Sequence, residues 1–234
     1  MKIKELKLFT NKLETEKKFY LKTLGFEVVT ENENQFSFKV GWSIFTFIQS
    51  SLSYKYHYCF LIPSNKLNEA FEWINKRVAV LDIEDGIKIV NFETWNADSF
   101  YFYDGSGNLA EFIVRYDLKN ENLDDFNISS VIGINEIGIG TTDVEKTNSQ
   151  LEKELGTKFW KGDLNRFATN GSQEGLFLIP NYELKEIWYP TKIKIKAEPF
   201  EAIIENNNKI YSVKFKNGKI KTTINSDMEG LNLD

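Results

Sequence analysis

Ile3-Lys4-Glu5-Leu6-Lys7-Leu8-Phe9-Thr10-Asn11-Lys12-Leu13-Glu14 opens a segment that returns, without a gap, as Ile134-Asn135-Glu136-Ile137-Gly138-Ile139-Gly140-Thr141-Thr142-Asp143-Val144-Glu145. Aligning residues 3–48 with residues 134–179 matches Ile3, Glu5, Thr10, Glu14, Lys22, Leu24, Gly25, Asn34, Phe36 and Ile48 with identical residues. Leu6/Ile137, Leu8/Ile139 and Leu13/Val144 extend the apolar pattern. An internal repeat of this length marks a supersecondary unit used more than once.

Each copy reads the same way. Ile3 to Phe9 alternates with period two, Leu6 and Leu8 on one face and Glu5, Lys7 and Phe9 on the other. A capping signature follows, Asn11 with Glu14 in the first copy and Thr142 with Glu145 in the second. Gly25 and Gly156 supply the positive φ that closes a last helical turn. Strand-like runs such as Phe36–Val40 and Ile44–Ile48 come next, so the unit is β-α-β-β-β.

The segment between the copies holds another unit. Tyr56–Ile62 reads as a strand, and Asn65 starts a helix whose Leu67, Ala70, Phe71, Ile74 and Val78 form one apolar stripe. Lys88–Phe92, Phe100–Tyr103 and Leu109–Arg115 read as strands, with Asp104-Gly105-Ser106-Gly107-Asn108 as the turn before the last. An Asn- and Asp-rich linker, Leu118 to Asn127, leads into the second half. After residue 181 the pattern loosens. Trp188–Lys196, Glu201–Glu205, Ile210–Lys216 and Lys219–Ile224 are the expected strands of a degenerate fourth unit, with Asn217-Gly218 as a hairpin turn. The last ten residues are expected to fray.

Composition narrows the function. The chain is 41% apolar and 15% aromatic, enough to build a core, and its net charge of −5 comes without a basic block to grip phosphates. Lys192, Lys194 and Lys196 alternate with Ile193 and Ile195, which reads as a strand with one solvated face. No nucleic-acid partner is expected. Nor is a membrane partner, because no apolar run has the length of a signal peptide or a span. Cys59 is alone, so no disulfide framework is expected. A cytoplasmic protein, monomer or homodimer, fits these features.

The run from Trp95 to Phe112, Trp-Asn-Ala-Asp-Ser-Phe-Tyr-Phe-Tyr-Asp-Gly-Ser-Gly-Asn-Leu-Ala-Glu-Phe, resembles the "F-x-D-P-D-G-N-x-x-E" module ending of the vicinal oxygen chelate superfamily. Phe19-Tyr20 with Leu24-Gly25-Phe26 is similar to that superfamily's "FY…LGF" helix, and Tyr56-His57-Tyr58-Cys59-Phe60 to its "H-x-A-F" strand. These are the glyoxalases, extradiol dioxygenases and bleomycin-resistance proteins. The resemblance covers nearly all of 1–116 and most of 128–190. It implies an α+β fold of tandem βαβββ modules, paired into curved, partly open mixed sheets with the helices outside. The corresponding domains are 1–117 and a degenerate 128–225, the latter a pseudo-partner without a site.

The resemblance also implies a divalent metal in a sheet cleft, held by residues of the first strands and a last strand. Mapped residue by residue, these are Glu5, His57 and Glu111; a fourth position falls near Phe45, which cannot ligate. Departures are Glu5, where the superfamily most often has His, and Gly105, where it has Pro. Strand alternation agrees with the mapping: it sets Glu5 opposite Leu6 and Leu8, His57 with Cys59 and Leu61, and Glu111 with Leu109 and Ile113. One imidazole and two carboxylates suit Mn, Fe or Zn. The implied activity is that of a lyase, isomerase or dioxygenase on a small oxygenated substrate. The alternative is metal-free binding of a small molecule in the same cleft.

Plainer roles remain open for each residue. A lone histidine often serves structure alone. Lys7 shares the face of Glu5 and could neutralise it, and Glu136 repeats Glu5 with no evident partner in the fourth unit. Phe36, Phe38, Trp42, Phe45, Phe47, Tyr101 and Tyr103 line a cleft or fill a core, the second being the commoner use. Cys59 reads as a small buried hydrophobe.

Overall fold

Ile3, Leu6 and Leu8 are buried along β1 (Lys2–Thr10), and the residues between them are partly exposed. That alternation fixes which side of the strand meets the helices. In the computed structural model, which describes residues 1–225, β1 is followed by α1 (Leu13–Lys17) and a π-helical continuation, Lys18–Leu24. The expected fraying of the last ten residues lies, but for Asn225, outside the described residues. Gly25 (φ 80°) closes the helix, and β2 (Val28–Glu31), β3 (Gln35–Val40) and β4 (Ser43–Gln49) complete the unit. β4 lies parallel to β1 and antiparallel to β3, which in turn pairs β2.

Two more units repeat this plan. One contains β5 (His57–Leu61), α2 (Leu67–Asn75), β6 (Val90–Phe92), β7 (Ala97–Tyr103) and β8 (Leu109–Arg115). The other contains β9 (Gly133–Gly138), α3 (Val144–Leu155), β10 (Phe159–Asp163), β11 (Phe167–Ser172) and β12 (Gly175–Pro180). The last unit keeps only the meander β13 (Phe200–Asn206), β14 (Lys209–Lys216) and β15 (Lys219–Ile224).

The units join across the sequence. β5 pairs antiparallel with β9, so the second unit meets the third; β1 pairs antiparallel with β13, so the first meets the last. The single bridge Ile3↔Ile134 links the two pairs into one fifteen-stranded mixed sheet. These pairings run between residues 1–117 and residues 128–225.

Three local expectations need correction. The two helices of the aligned repeat start one residue beyond the expected cap: at α3 Asp143 caps, accepting from the Lys146 amide at 2.9 Å, while Thr141 turns back on the Asp143 amide. At α1 the cap position is Lys12, because Thr10 takes the Lys12 amide. Trp188–Lys196 is a loop with the one bridge Ile187↔Lys194, although its expected sidedness holds: Ile195 is buried and the lysines face out.

Under the helices the core is aromatic. Tyr20 stacks on Phe38 and Phe47 with ring centroids 4.5 and 5.4 Å apart, and Phe36, Phe45, Phe60, Phe102 and Phe112 are fully buried around them. Each such side chain stabilises the fold by about 1.5–3 kcal/mol on burial. The Asp104–Asn108 turn is locked to this core. Asp104 accepts from the Ser106 and Asn108 amides and from Tyr58, and Asn108 Nδ2 bridges Asp104 and the buried Glu16. Gly105 sits against α1, where a Cβ would stand 2.6 Å from the Thr15 carbonyl oxygen.

Candidate metal centre

The opposite face of the sheet carries the site. Parallel pairing of β5 with β8 and antiparallel pairing with β9 put Glu111, Cys59 and Glu136 in one row across three strands. His57 lies two residues from Cys59 on the same face of β5. His57, Glu111 and Glu136 are 5%, 2% and 2% exposed, and one donor atom of each lies within 4.8 Å of the others. The structure therefore brings His57 and Glu111 together as expected, and adds Glu136. Glu5 it sets apart. On β1 its register partners are Ile203 and Ile44, and it ion-pairs with Lys7 at 3.3 Å with its side chain 37% exposed.

His57 is held in one orientation. Its Nδ1 is 3.1 Å from the Leu109 carbonyl oxygen, a contact that only an Nδ1–H can make. That leaves the Nε2 lone pair facing Glu111 Oε2, 3.4 Å away. Burial lowers the His57 pKa to about 4, so the ring is neutral at pH 7. A neutral imidazole whose far nitrogen is fixed by a backbone carbonyl is the form that ligates metals.

The two carboxylates differ. Burial, and then the charge of Glu136, push Glu111 well above its usual range. Burial also raises Glu136, but Arg115 opposes the shift. The Arg115 guanidinium, 0% exposed, donates to Glu136 Oε1 from Nη2 and to Asn135 Oδ1 from Nε at 2.9 Å. It lies 5.2 and 5.5 Å from the ring centroids of Trp160 and Trp95. The pair is thus asymmetric: Glu136 has the Arg115 guanidinium against it, and Glu111 has no such hydrogen-bonded cation.

A cavity of about 200 Å³ stands over these groups, walled by Phe92, Trp95, Tyr101, Phe167, Leu178, Trp188 and Tyr189, with Lys185 in its lining. The loop after β12 supplies its cover. Trp188 donates its amide to the Ile193 carbonyl and accepts from the Thr191 amide, and its ring lies 4.9 Å from that of His57. Gly138 makes this possible, since a Cβ there would fall 2.5 Å from the indole. Of the aromatics weighed in the sequence, Tyr101 lines the cavity, Phe36, Phe38, Phe45 and Phe47 are core, and Tyr103 is exposed. Cys59 is fully buried beside the carboxylates.

Sequence reasoning missed Arg115, Trp188 and the partnership of Glu136. Arg115 was legible in part: it shares the strand face of Leu109, Glu111 and Ile113. Trp188 had no signal, because its position depends on an irregular loop.

The donor set fits a divalent cation: one fixed neutral imidazole and two buried carboxylates against a single guanidinium. Among the described residues, no helix is long and apolar enough to cross a membrane.

No known family model matches the sequence, and no curated protein matches it. Solved structures do match the fold. A protein from Bacillus subtilis subsp. subtilis str. 168, provisionally described as a dioxygenase, is 12% identical over 96% of this chain and 84% of its own, with a TM-score of 0.61. A variant of glyoxalase I from Zea mays is 10% identical over 95% of this chain and 92% of its own, with a TM-score of 0.56. The repeated βαβββ units, their parallel first and last strands and these neighbours agree: this chain has the fold of the vicinal oxygen chelate superfamily.

Proposed function

We propose that this chain binds a divalent cation, Mn, Fe or Zn, through His57, Glu111 and Glu136, and presents it to a small oxygen-bearing molecule in the aromatic cavity. The observation that carries this reading is the convergence of three buried donor atoms within 4.8 Å at the floor of that cavity. Glu5 is left out of the ligand set. Dioxygenase or glyoxalase activity, as the two structural neighbours are described, together with the lyase and isomerase chemistry that the superfamily resemblance implies, is the class to screen.

The bound cation would supply Lewis-acid polarisation of ligand oxygens. The protein's residues do the rest. The Leu109 carbonyl orients His57, and Arg115 anchors one oxygen of Glu136 while leaving the other free. Because burial raises the Glu111 pKa, protonation competes with ligation there, and metal binding should strengthen as pH rises. Trp188, Tyr101 and Tyr189 restrict water and confine the ligand to about 200 Å³, below the roughly 300–1,000 Å³ of drug-sized sites. A small substrate fits this volume better than a bulky antibiotic.

One observation favours a second reading. Arg115 already pairs with Glu136, so one of the two carboxylates has its counter-charge without a metal, as metal-free ligand binding would use. Metal content of the purified protein separates the two. One equivalent of Mn, Fe or Zn, lost in His57→Ala and Glu111→Ala, supports the metal reading. A protein that neither carries nor takes up these ions contradicts it.

A further inference from the structure

The cavity over His57 is lined by a cation that lacks a counter-ion. Lys185 is partly buried, and its Nζ donates to the Ile187 carbonyl of its own loop at 3.0 Å. Among the described residues no carboxylate forms an ion pair with it, although Glu5, Glu69, Glu136, Glu174 and Glu201 all have basic partners. Burial and the nearby Arg166 both weaken its hold on the proton. Lys185 and Tyr189 line this cavity and also the more open groove beside it that includes Arg166. Lys185 therefore stands where the cavity meets the groove, its charge in a setting that an incoming anion would relieve.

The rest of the cavity selects the body attached to that anion. Its walls are aromatic, and one of the two carboxylates at its floor, Glu136, is paired with Arg115. An apolar cavity of roughly 150 Å³ accommodates benzene, and this one measures about 200 Å³. We infer that the site takes a monoanionic molecule of single-ring size, its carboxylate against Lys185 and its ring between Trp188 and Tyr101. Lys185 is then the specificity-determining residue. The inference rests on the cavity being a ligand site, as proposed above, and not on the metal.

Benzoate and its neutral counterpart benzamide are the probes, titrated calorimetrically into the full chain in chelator and again with Zn. Benzoate should bind wild type at least tenfold more tightly than benzamide. Lys185→Met should abolish that preference and Lys185→Arg should keep it, with thermal midpoints measured on each variant. Equal affinity of the two probes for wild type, no binding of either at millimolar concentration, or a preference that survives Lys185→Met would overturn the inference. A benzoate preference in chelator without any uptake of Mn, Fe or Zn would leave this inference standing and remove the metal reading. Uptake of Zn without a benzoate preference would do the reverse.

Discussion

Glu5 and Glu136 occupy the same position in two copies of one repeat, yet they meet opposite fates. Glu136 lies between β5 and β12, 2% exposed, with Arg115 for a partner and His57 and Glu111 within reach. Glu5 lies between β13 and β4, ion-paired to Lys7 and bordering a small open pocket with Glu201 and Lys214, themselves an exposed pair. Residue type and local strand are the same; the neighbouring strand decides. The aligned residues two places on sharpen the contrast. Gly138 leaves room for the Trp188 lid, while Lys7 fills that space with a charge. A closed, low-dielectric site and an open, solvated one thus arise from one module.

The largest expected effect tests the buried pair. Arg115→Met should destabilise the protein by about 3–5 kcal/mol, because it strands Glu136 without a counter-charge. Most of that loss should return in Arg115→Met combined with Glu136→Leu. Urea unfolding measures both; a loss under 1 kcal/mol would make the two glutamates equivalent and break the comparison.

Next comes the pH response of His57. Its folded pKa of about 4 lies below the ordinary 6.5. Below pH 6.5 the unfolded chain therefore takes up a proton that the folded chain refuses, and stability falls as pH drops towards 4. The shift corresponds to about 3 kcal/mol. The stability advantage of wild type over His57→Gln should shrink by that order between pH 7 and pH 4. A constant difference would mean that His57 is not desolvated in the folded protein.

A smaller effect belongs to the lid. Gly138→Ala drives a Cβ into Trp188 and should cost about 1–3 kcal/mol. It should also increase solvent quenching of tryptophan fluorescence as the lid lifts. Unchanged stability and quenching would show that Trp188 does not pack on β9. Smallest of all, Lys7→Met at the aligned position should change stability by less than about 1 kcal/mol, as expected of an exposed pair. A larger loss would show that the first unit's cleft is closed like the third's.

Much of this was readable from the chain. Period-two alternation placed Leu6, Leu8, His57 and Glu111 on their correct faces, and Gly25 and Gly156 marked where helices end. Local patterns encode such features because side-chain direction follows directly from backbone period. The partnership of the units was not readable. Whether β5 meets β1 or β9 depends on contacts more than 70 residues apart, to which alternation is blind. This is why Glu136 reads in the sequence only as an echo of Glu5, with no partner in the fourth unit, when its neighbours His57, Glu111 and Arg115 all precede it. The Trp188 loop escaped for a related reason: its Ile and Lys alternate as in a strand, but Ile195 packs on a neighbouring surface rather than pairing in the sheet.

The most direct test sets the two glutamates against each other in one titration of Mn or Zn into purified protein. Wild type and Glu5→Gln should each bind one equivalent, and Glu136→Gln should lose most of that affinity. Retention in Glu136→Gln with loss in Glu5→Gln would contradict the account and place the site in the other cleft.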